Sequence, residues 1–206
     1  MTDLGFIHRF VPAPSGFART LLLLHGTGAN ENDLLDLGHA LDSEAALLSP
    51  RGKILENGAP RFFRRLAEGI FDEKDLLLRS HELAHFITAA AAQYKIDLKT
   101  LVAVGYSNGA NIAGAMMLLG VAPFSKAILL RPMVPLQPPN LPDLKDVNVL
   151  LLAGQLDPIA QPAIVTALEQ LFCQTGADVT LKFQPASHEI TLADVTAARE
   201  WLANLG

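Results

Sequence analysis

Any strand formed by Thr20–Leu24 (TLLLL) is apolar on both faces, so the segment can only be an interior strand covered on each side by other elements. Similar β-rich runs recur along the chain at Ala45–Ser49, Thr100–Val104, Lys126–Leu130, Val147–Ala153 and Val179–Phe183. Three of them end at once in Pro50, Gly105 and Gly154. Longer helical patterns fill the intervals. Leu76–Tyr94 carries Leu77, Leu83, Phe86, Ile87 and Ala90 at roughly helical spacing, and Asn108–Leu119 is rich in Ala, Met and Leu. Its Gly109, Ala113 and Gly114 would let that helix approach a sheet closely. Pro162–Phe172 opens on a first-turn proline, and Leu192–Leu205 closes the series. This alternation predicts an α/β protein with a mostly parallel central sheet and helices on both faces. Asn57–Ile70 and Arg131–Pro142, rich in Gly or Pro, read as loops. No repeat, low-complexity tail or linker interrupts the pattern, so residues 1–206 are expected to form a single domain with no room for a large lid domain.

Composition narrows the function classes. Half of the residues are hydrophobic and 18% are charged, which suits an ordered globular chain. The net charge is −5, and the densest basic run, Arg61–Arg65 (RFFRR), is interrupted by phenylalanines. A nucleic-acid partner is therefore not expected. Cys173 is the only cysteine, which excludes an intrachain disulfide and fits a reducing cytosol. The stretch Met1–Phe10 lacks the pattern of a secretory signal, and the apolar runs are too short to cross a bilayer. A soluble, cytoplasmic chain with no membrane partner is the expectation.

Gly105-Tyr106-Ser107-Asn108-Gly109 is a G-x-S-x-G set between a predicted strand and a predicted helix. In that context it reads as a nucleophile elbow: a strained serine flanked by small residues, lifted above the sheet edge, with a helix N-terminus behind it. A glycine-bordered turn with a solvent-facing serine is the bland alternative, and the strand before and the helix after weigh against it. A serine hydroxyl needs a base, and His188 is the only histidine after Ser107. It lies in Ala186-Ser187-His188-Glu189, past the last predicted strand and before the last predicted helix. The expected acid is Asp157, in Gly154-Gln155-Leu156-Asp157-Pro158 after the Val147–Ala153 strand. Asp143 and Asp146 are rivals, but they precede that strand and fall at the wrong edge of the sheet. The chain order Ser, Asp, His is the one this architecture uses.

His25-Gly26-Thr27-Gly28 follows the first strong strand and reads as an oxyanion turn. The backbone amides of Thr27 and Asn108 are assigned as the oxyanion donors, with His25 orienting the loop. A second motif competes for attention. His81-Glu82-Leu83-Ala84-His85 matches H-E-x-x-H on a predicted helix. No His occurs between His85 and His188 and no Glu between Glu82 and Glu169, so a third protein ligand is lacking nearby and this face reads as solvated. Neither a metal nor any other cofactor is expected.

With Ser107, Asp157 and His188 in place, the chain resembles the phospholipase/carboxylesterase family of small α/β hydrolases, which includes the acyl-protein thioesterases. The resemblance spans nearly the whole chain. Its marks are His25-Gly26-Thr27-Gly28-Ala29-Asn30-Glu31, Ser49-Pro50-Arg51-Gly52, Phe62-Phe63-Arg64-Arg65, the serine motif, and Gly154-Gln155-Leu156-Asp157-Pro158. Arg61–Asp72 is most similar to a bacterial carboxylesterase branch. The family usually has glycine where this chain has Ser187.

The resemblance implies an α/β-hydrolase fold and cofactor-free hydrolysis of carboxylic esters. The expected partner is a small-molecule ester of short to medium acyl length, turned over through an acyl-enzyme on Ser107. A pocket lined by Phe62, Phe63, Met133, Leu156 and Ile159 is expected. A thioesterase or lysophospholipase with a longer groove is the nearest alternative, and a catalytically idle ligand-binding protein is the alternative of another class. Pairing of two copies through an apolar surface is left open.

Overall fold

The computed structural model describes residues 4–14 and 19–205. The reading of Met1–Phe10 as free of a signal therefore falls in part on residues 1–3, outside the described residues. In chain order the elements are β1 (His8–Val11), β2 (Thr20–Leu24), α1 (Leu35–Leu41) and β3 (Ala46–Pro50). Two small hairpins follow, β4 (Ile54–Glu56) with β5 (Ala59–Arg61), and β6 (Arg65–Ala67) with β7 (Ile70–Phe71). The remainder is α2 (Glu73–Tyr94), β8 (Leu101–Tyr106), α3 (Asn108–Leu118), β9 (Lys126–Leu130), β10 (Asn148–Gly154), α4 (Pro162–Gln174), β11 (Asp178–Gln184) and α5 (Leu192–Asn204).

A seven-stranded sheet runs in the order β1-β3-β2-β8-β9-β10-β11, parallel throughout except for the β1–β3 pair. Alternation along the strands divides the core into two layers. Leu21 and Leu23 of β2, Val102 and Val104 of β8, and Leu150 and Leu152 of β10 pack with Leu41 of α1 and Ala197, Ala198 and Leu202 of α5. Leu22 and Leu24, Ala103, and Val149 and Leu151 face the opposite way. There they pack with Leu83, Phe86 and Ile87 of α2, Ile112 and Met116 of α3, and Val165, Leu168 and Phe172 of α4. β2 thus supplies leucines to both layers, as its two apolar faces require.

The predicted strands and the later helices lie where the sequence places them, within a few residues at their ends. Asn57–Ile70 is not a plain loop: β5, β6 and the start of β7 lie within it, held by the Ile54–Arg61 and Arg65–Phe71 pairings. These are hairpins too short to leave a period-two signal. β1 also has no such signal. Its His8-Arg9-Phe10-Val11 sequence pairs along β3, from His8 opposite Pro50 to Val11 opposite Leu47, and none of the four is fully buried. Among the described residues no helix is long and apolar enough to cross a membrane.

Candidate active site

Every parallel strand of the sheet delivers its carboxyl end to one edge, and the junctions there carry the candidate residues. β8 ends at Tyr106 and α3 begins at Asn108, leaving Ser107 alone between them with φ 52° and ψ −110°. A side chain is rarely tolerated at such a φ, and the strain costs of order 1–3 kcal/mol. The surroundings enforce it. Ser107 N donates to Leu130 O at 2.9 Å, which pins the turn to β9. The two glycines of the motif are needed for close packing of helix on strand. A Cβ on Gly109 would lie 1.9 Å from Leu24 O, and one on Gly105 would lie 2.6 Å from the Ala110 Cα.

His188 lies between β11 and α5, and its Nε2 stands 2.9 Å from Ser107 Oγ. Its Nδ1 stands 2.8 Å from Asp157 Oδ2. A carboxylate oxygen can only accept, so Nδ1 carries the proton and Nε2 is left to accept from the serine hydroxyl. Asp157 is buried in the turn after β10, where its Oδ1 accepts from Ile159 N at 2.8 Å and Ala160 N at 3.0 Å. Those two backbone donors fix the carboxylate's plane. Asp143 is exposed and engaged with Lys145 ahead of β10, far along the strand from this edge.

The His188 loop is itself braced. Tyr106 Oη donates to His188 O at 3.0 Å. Burial, the largest influence, pushes the Tyr106 phenol up, so it remains a donor. Arg131, at φ +54° just past β9, donates from Nε to Ser187 O at 3.0 Å and from Nη2 to Glu189 O at 2.6 Å. It therefore holds the carbonyls on both sides of His188. No sequence pattern for the site singled out Arg131. The signal that could have found it is a charged residue directly after the apolar run Ala127–Leu130.

Thr27 follows β2 on the same edge. Its neighbours are fixed by Gly28 N donating to Pro60 O and Ala29 N donating to Gly26 O. His25 is fully buried and bridges the turn: one ring nitrogen meets Gly26 O at 2.7 Å and the other accepts from Gly52 N at 2.9 Å. Burial, outweighing the nearby carboxylates, lowers its pKa and keeps the ring neutral, as an acceptor for Gly52 must be. Arg61, also buried, donates from Nη1 to Thr27 Oγ1 at 2.8 Å and from Nε to Phe63 O at 3.2 Å.

A cavity of about 250 Å³ opens beside Ser107, with Thr27, Asn108 and His188 in its wall. Met133 and Ile159 line it as the sequence suggests; Phe62, Phe63 and Leu156 do not. Phe62 and Phe63 are core residues, the first against the His25 ring and the second edge-on to Phe71, so the apolar character read as pocket lining serves packing. Leu156 is 74% exposed, because the turn that buries Asp157 swings its predecessor outward. The hairpins supply residues that the sequence reading missed: Arg61, Arg65, Glu68 and Phe71. Asn111, one turn into α3, completes the wall.

The H-E-x-x-H histidines, His81 and His85, are exposed on α2, and Glu82 pairs with Lys53 and Arg79. Among the described residues no group of three or more His, Cys, Asp or Glu could hold a metal ion.

Comparison with known proteins places this edge in context. No family model matches the chain. MhqD of Bacillus subtilis (strain 168), whose name classes it among hydrolases, is 45% identical over 181 residues, covering 88% of this chain and 90% of that protein. The crystal structure of the Bacillus cereus carboxylesterase superposes with a TM-score of 0.94 at 45% identity, covering 98% of this chain and 95% of the other. A Mesorhizobium loti carboxylesterase gives 0.92 at 34% identity, with 99% and 97% covered.

Proposed function

Since this chain belongs to the phospholipase/carboxylesterase family of small α/β hydrolases and is a carboxylic ester hydrolase, we propose that Ser107 is its nucleophile, His188 its general base and Asp157 the acid that orients the base. The observation that carries this reading is the unbroken hydrogen-bonded series Ser107–His188–Asp157, at 2.9 and 2.8 Å. The Ser107 Oγ attacks the ester carbonyl while His188 Nε2 takes its proton, and Asp157 stabilises the imidazolium through Nδ1–H. The amides of Thr27 and Asn108 receive the negative charge on the carbonyl oxygen, with the N-terminus of α3 adding its field. Collapse of the tetrahedral species expels the alcohol, which leaves with the proton from His188. A water then gives up a proton to His188, attacks the acyl-Ser107, and the carboxylic acid departs.

The cavity's modest size supports esters of short to medium acyl length over long-chain thioesters or lysophospholipids. A cytoplasmic site of action agrees with a lone, exposed Cys173 that has no disulfide partner. The test is hydrolysis of p-nitrophenyl esters of increasing acyl length by the wild type and by Ser107→Ala. Activity that falls with length in the first and is lost in the second supports the proposal. A folded wild type that binds esters without forming an acyl-enzyme would leave it an idle binding protein.

A further inference from the structure

The wall of the cavity on the side of the proposed oxyanion amides carries a hydrogen-bond donor that the protein itself does not use. Asn108 is buried, and its Oδ1 accepts from Phe62 N at 2.7 Å, which fixes the amide so that Nδ2 is the free end. That Nδ2 is enclosed and has no acceptor among the described residues. Asn111 repeats the arrangement one helical turn on. Its Oδ1 accepts from Met133 N at 2.7 Å, and its Nδ2, which meets no acceptor among the described residues, is not sealed off as that of Asn108 is. Asn108 Nδ2 is closed to solvent and therefore to a ligand, which leaves Asn111 Nδ2, on the cavity wall, as the donor open to an acceptor that arrives from outside.

Charge decides which acceptor. Arg61 and Arg65 both line the cavity, and both turn to the same carboxylate, Glu56, at 3.2 and 2.9 Å. Glu68 stands at the exposed rim. Two guanidiniums are thus set against two carboxylates, and no surplus positive charge is left to pair with an anion. Position decides which half of the ester is concerned. The leaving alcohol must lie by His188 Nε2, which protonates it, whereas Asn111 lies one helical turn along α3 from Ser107, with its Oδ1 on Met133 N and not in the His188 loop.

We propose that the cavity selects esters whose acyl group carries a neutral hydrogen-bond-accepting oxygen, a ketone or ether, a few atoms beyond the ester carbonyl, held by the side-chain amide of Asn111. This deepens the reading of Ser107 as nucleophile and rests on it.

The experiment compares kcat/KM for p-nitrophenyl 4-oxopentanoate and p-nitrophenyl pentanoate, each divided by its rate of alkaline hydrolysis to remove intrinsic reactivity. The expected ratio favours the oxo ester by about tenfold, the discrimination one buried hydrogen bond gives. In Asn111→Asp the oxygen that accepts from Met133 N is kept and the donor is replaced by an acceptor. There the ratio falls to one or below, whatever happens to the absolute rates. A wild-type ratio near one, with both esters hydrolysed, overturns this proposal and leaves the nucleophile standing. So does a preference that survives Asn111→Asp. If neither ester is hydrolysed by folded protein, the assignment of Ser107 fails and this inference with it.

Discussion

Arg131 and Asp194 meet in a bidentate ion pair, Nη1 to Oδ1 at 2.9 Å and Nη2 to Oδ2 at 2.7 Å, with both side chains fully enclosed. The remaining guanidinium donors go to Leu152 O and to the carbonyls flanking His188. Asp194 in turn closes the capping box of α5 with Thr191. One buried pair thus joins the end of β9, the His188 loop and the start of the last helix.

Removing one partner should therefore be expensive. Arg131→Met leaves Asp194 buried and unpaired, and is expected to cost about 3–5 kcal/mol in urea unfolding, while Arg131→Met with Asp194→Leu recovers much of the loss. The pH dependence follows from Asp194. Burial alone would raise its pKa, but hydrogen bonds from Arg131 and Thr191 and the Arg131 charge outweigh burial and hold it below the ordinary carboxylate range. A depressed pKa gives stability that is complete above the unfolded-state value and is lost as pH falls through the folded one. The stability gap between wild type and Asp194→Asn should accordingly narrow on acidification below the ordinary aspartate range. A gap independent of pH would count against the pair.

Asp157→Asn should separate orientation from packing. The asparagine Oδ1 can still accept from Ile159 N and Ala160 N, which leaves its NH2 facing His188 Nδ1. That ring nitrogen must then accept, the proton moves to Nε2, and Ser107 loses its base. We expect kcat to fall on the order of 10³–10⁴-fold with the thermal midpoint little changed. Retention of most activity would remove Asp157 from the mechanism.

His25 carries no proposed proton transfer, yet its substitution should be felt at the site. His25→Phe leaves the buried Gly52 N–H without an acceptor, at about 1–3 kcal/mol, and frees the Gly26–Thr27 turn. Because burial lowers the His25 pKa in the folded chain, the stability from its neutral ring is complete above the ordinary imidazole range and is lost as pH falls through the lowered folded value. The wild type should therefore lose more stability than His25→Phe in that acid range. Parallel pH profiles would show that His25 contributes packing only.

Gly154→Ala tests the fit between the strand that leads to Asp157 and the loop that carries His188, the proposed base. A Cβ there would lie 2.2 Å from Ser187 O, so the residue next to His188 must move. A displacement of about an ångström at the base is expected to lower kcat on the order of 10²-fold, with KM changing much less. An unaltered kcat in a folded variant would mean that the loop gives way without moving the imidazole.

The legibility of the chain followed the range of its interactions. The places of Ser107, Asp157 and His188 in the fold were readable because each sits at the end of a strand or in a loop that periodicity and turn residues locate. Phe62 and Phe63 were misplaced because an apolar residue beside a site and one in the core look alike in sequence; only the ring contacts with His25 and Phe71 tell them apart. Arg61, Arg65 and Asn111 went unseen for a related reason. What marks them is convergence on one cavity from two hairpins and a helix, a relation between segments that leaves no local pattern. Arg131 is hidden further still, since its partners in the His188 loop and α5, Ser187, Glu189 and Asp194, lie more than fifty positions away.

The hairpins β4–β5 and β6–β7 stand outside the main sheet, yet they furnish Arg61, Arg65, Glu68 and Phe71 to the cavity, whereas the residues proposed to handle the proton belong to junctions of the sheet itself. Part of the cavity wall is therefore written in a separable stretch of the chain, while Asn111, Met133 and Ile159 come from the main body. Lineages could diversify through residues 54–71 while inheriting the sheet unchanged, as a handle accepts different blades. The fastening is also visible: Phe62 N is bonded to Asn108, and the Arg61 backbone fills the space a Cβ on Gly52 would need. A graft that keeps Arg61–Phe63 and exchanges the flanking turns should carry the hairpins' share of one relative's substrate preference into another without disturbing how either breaks the bond.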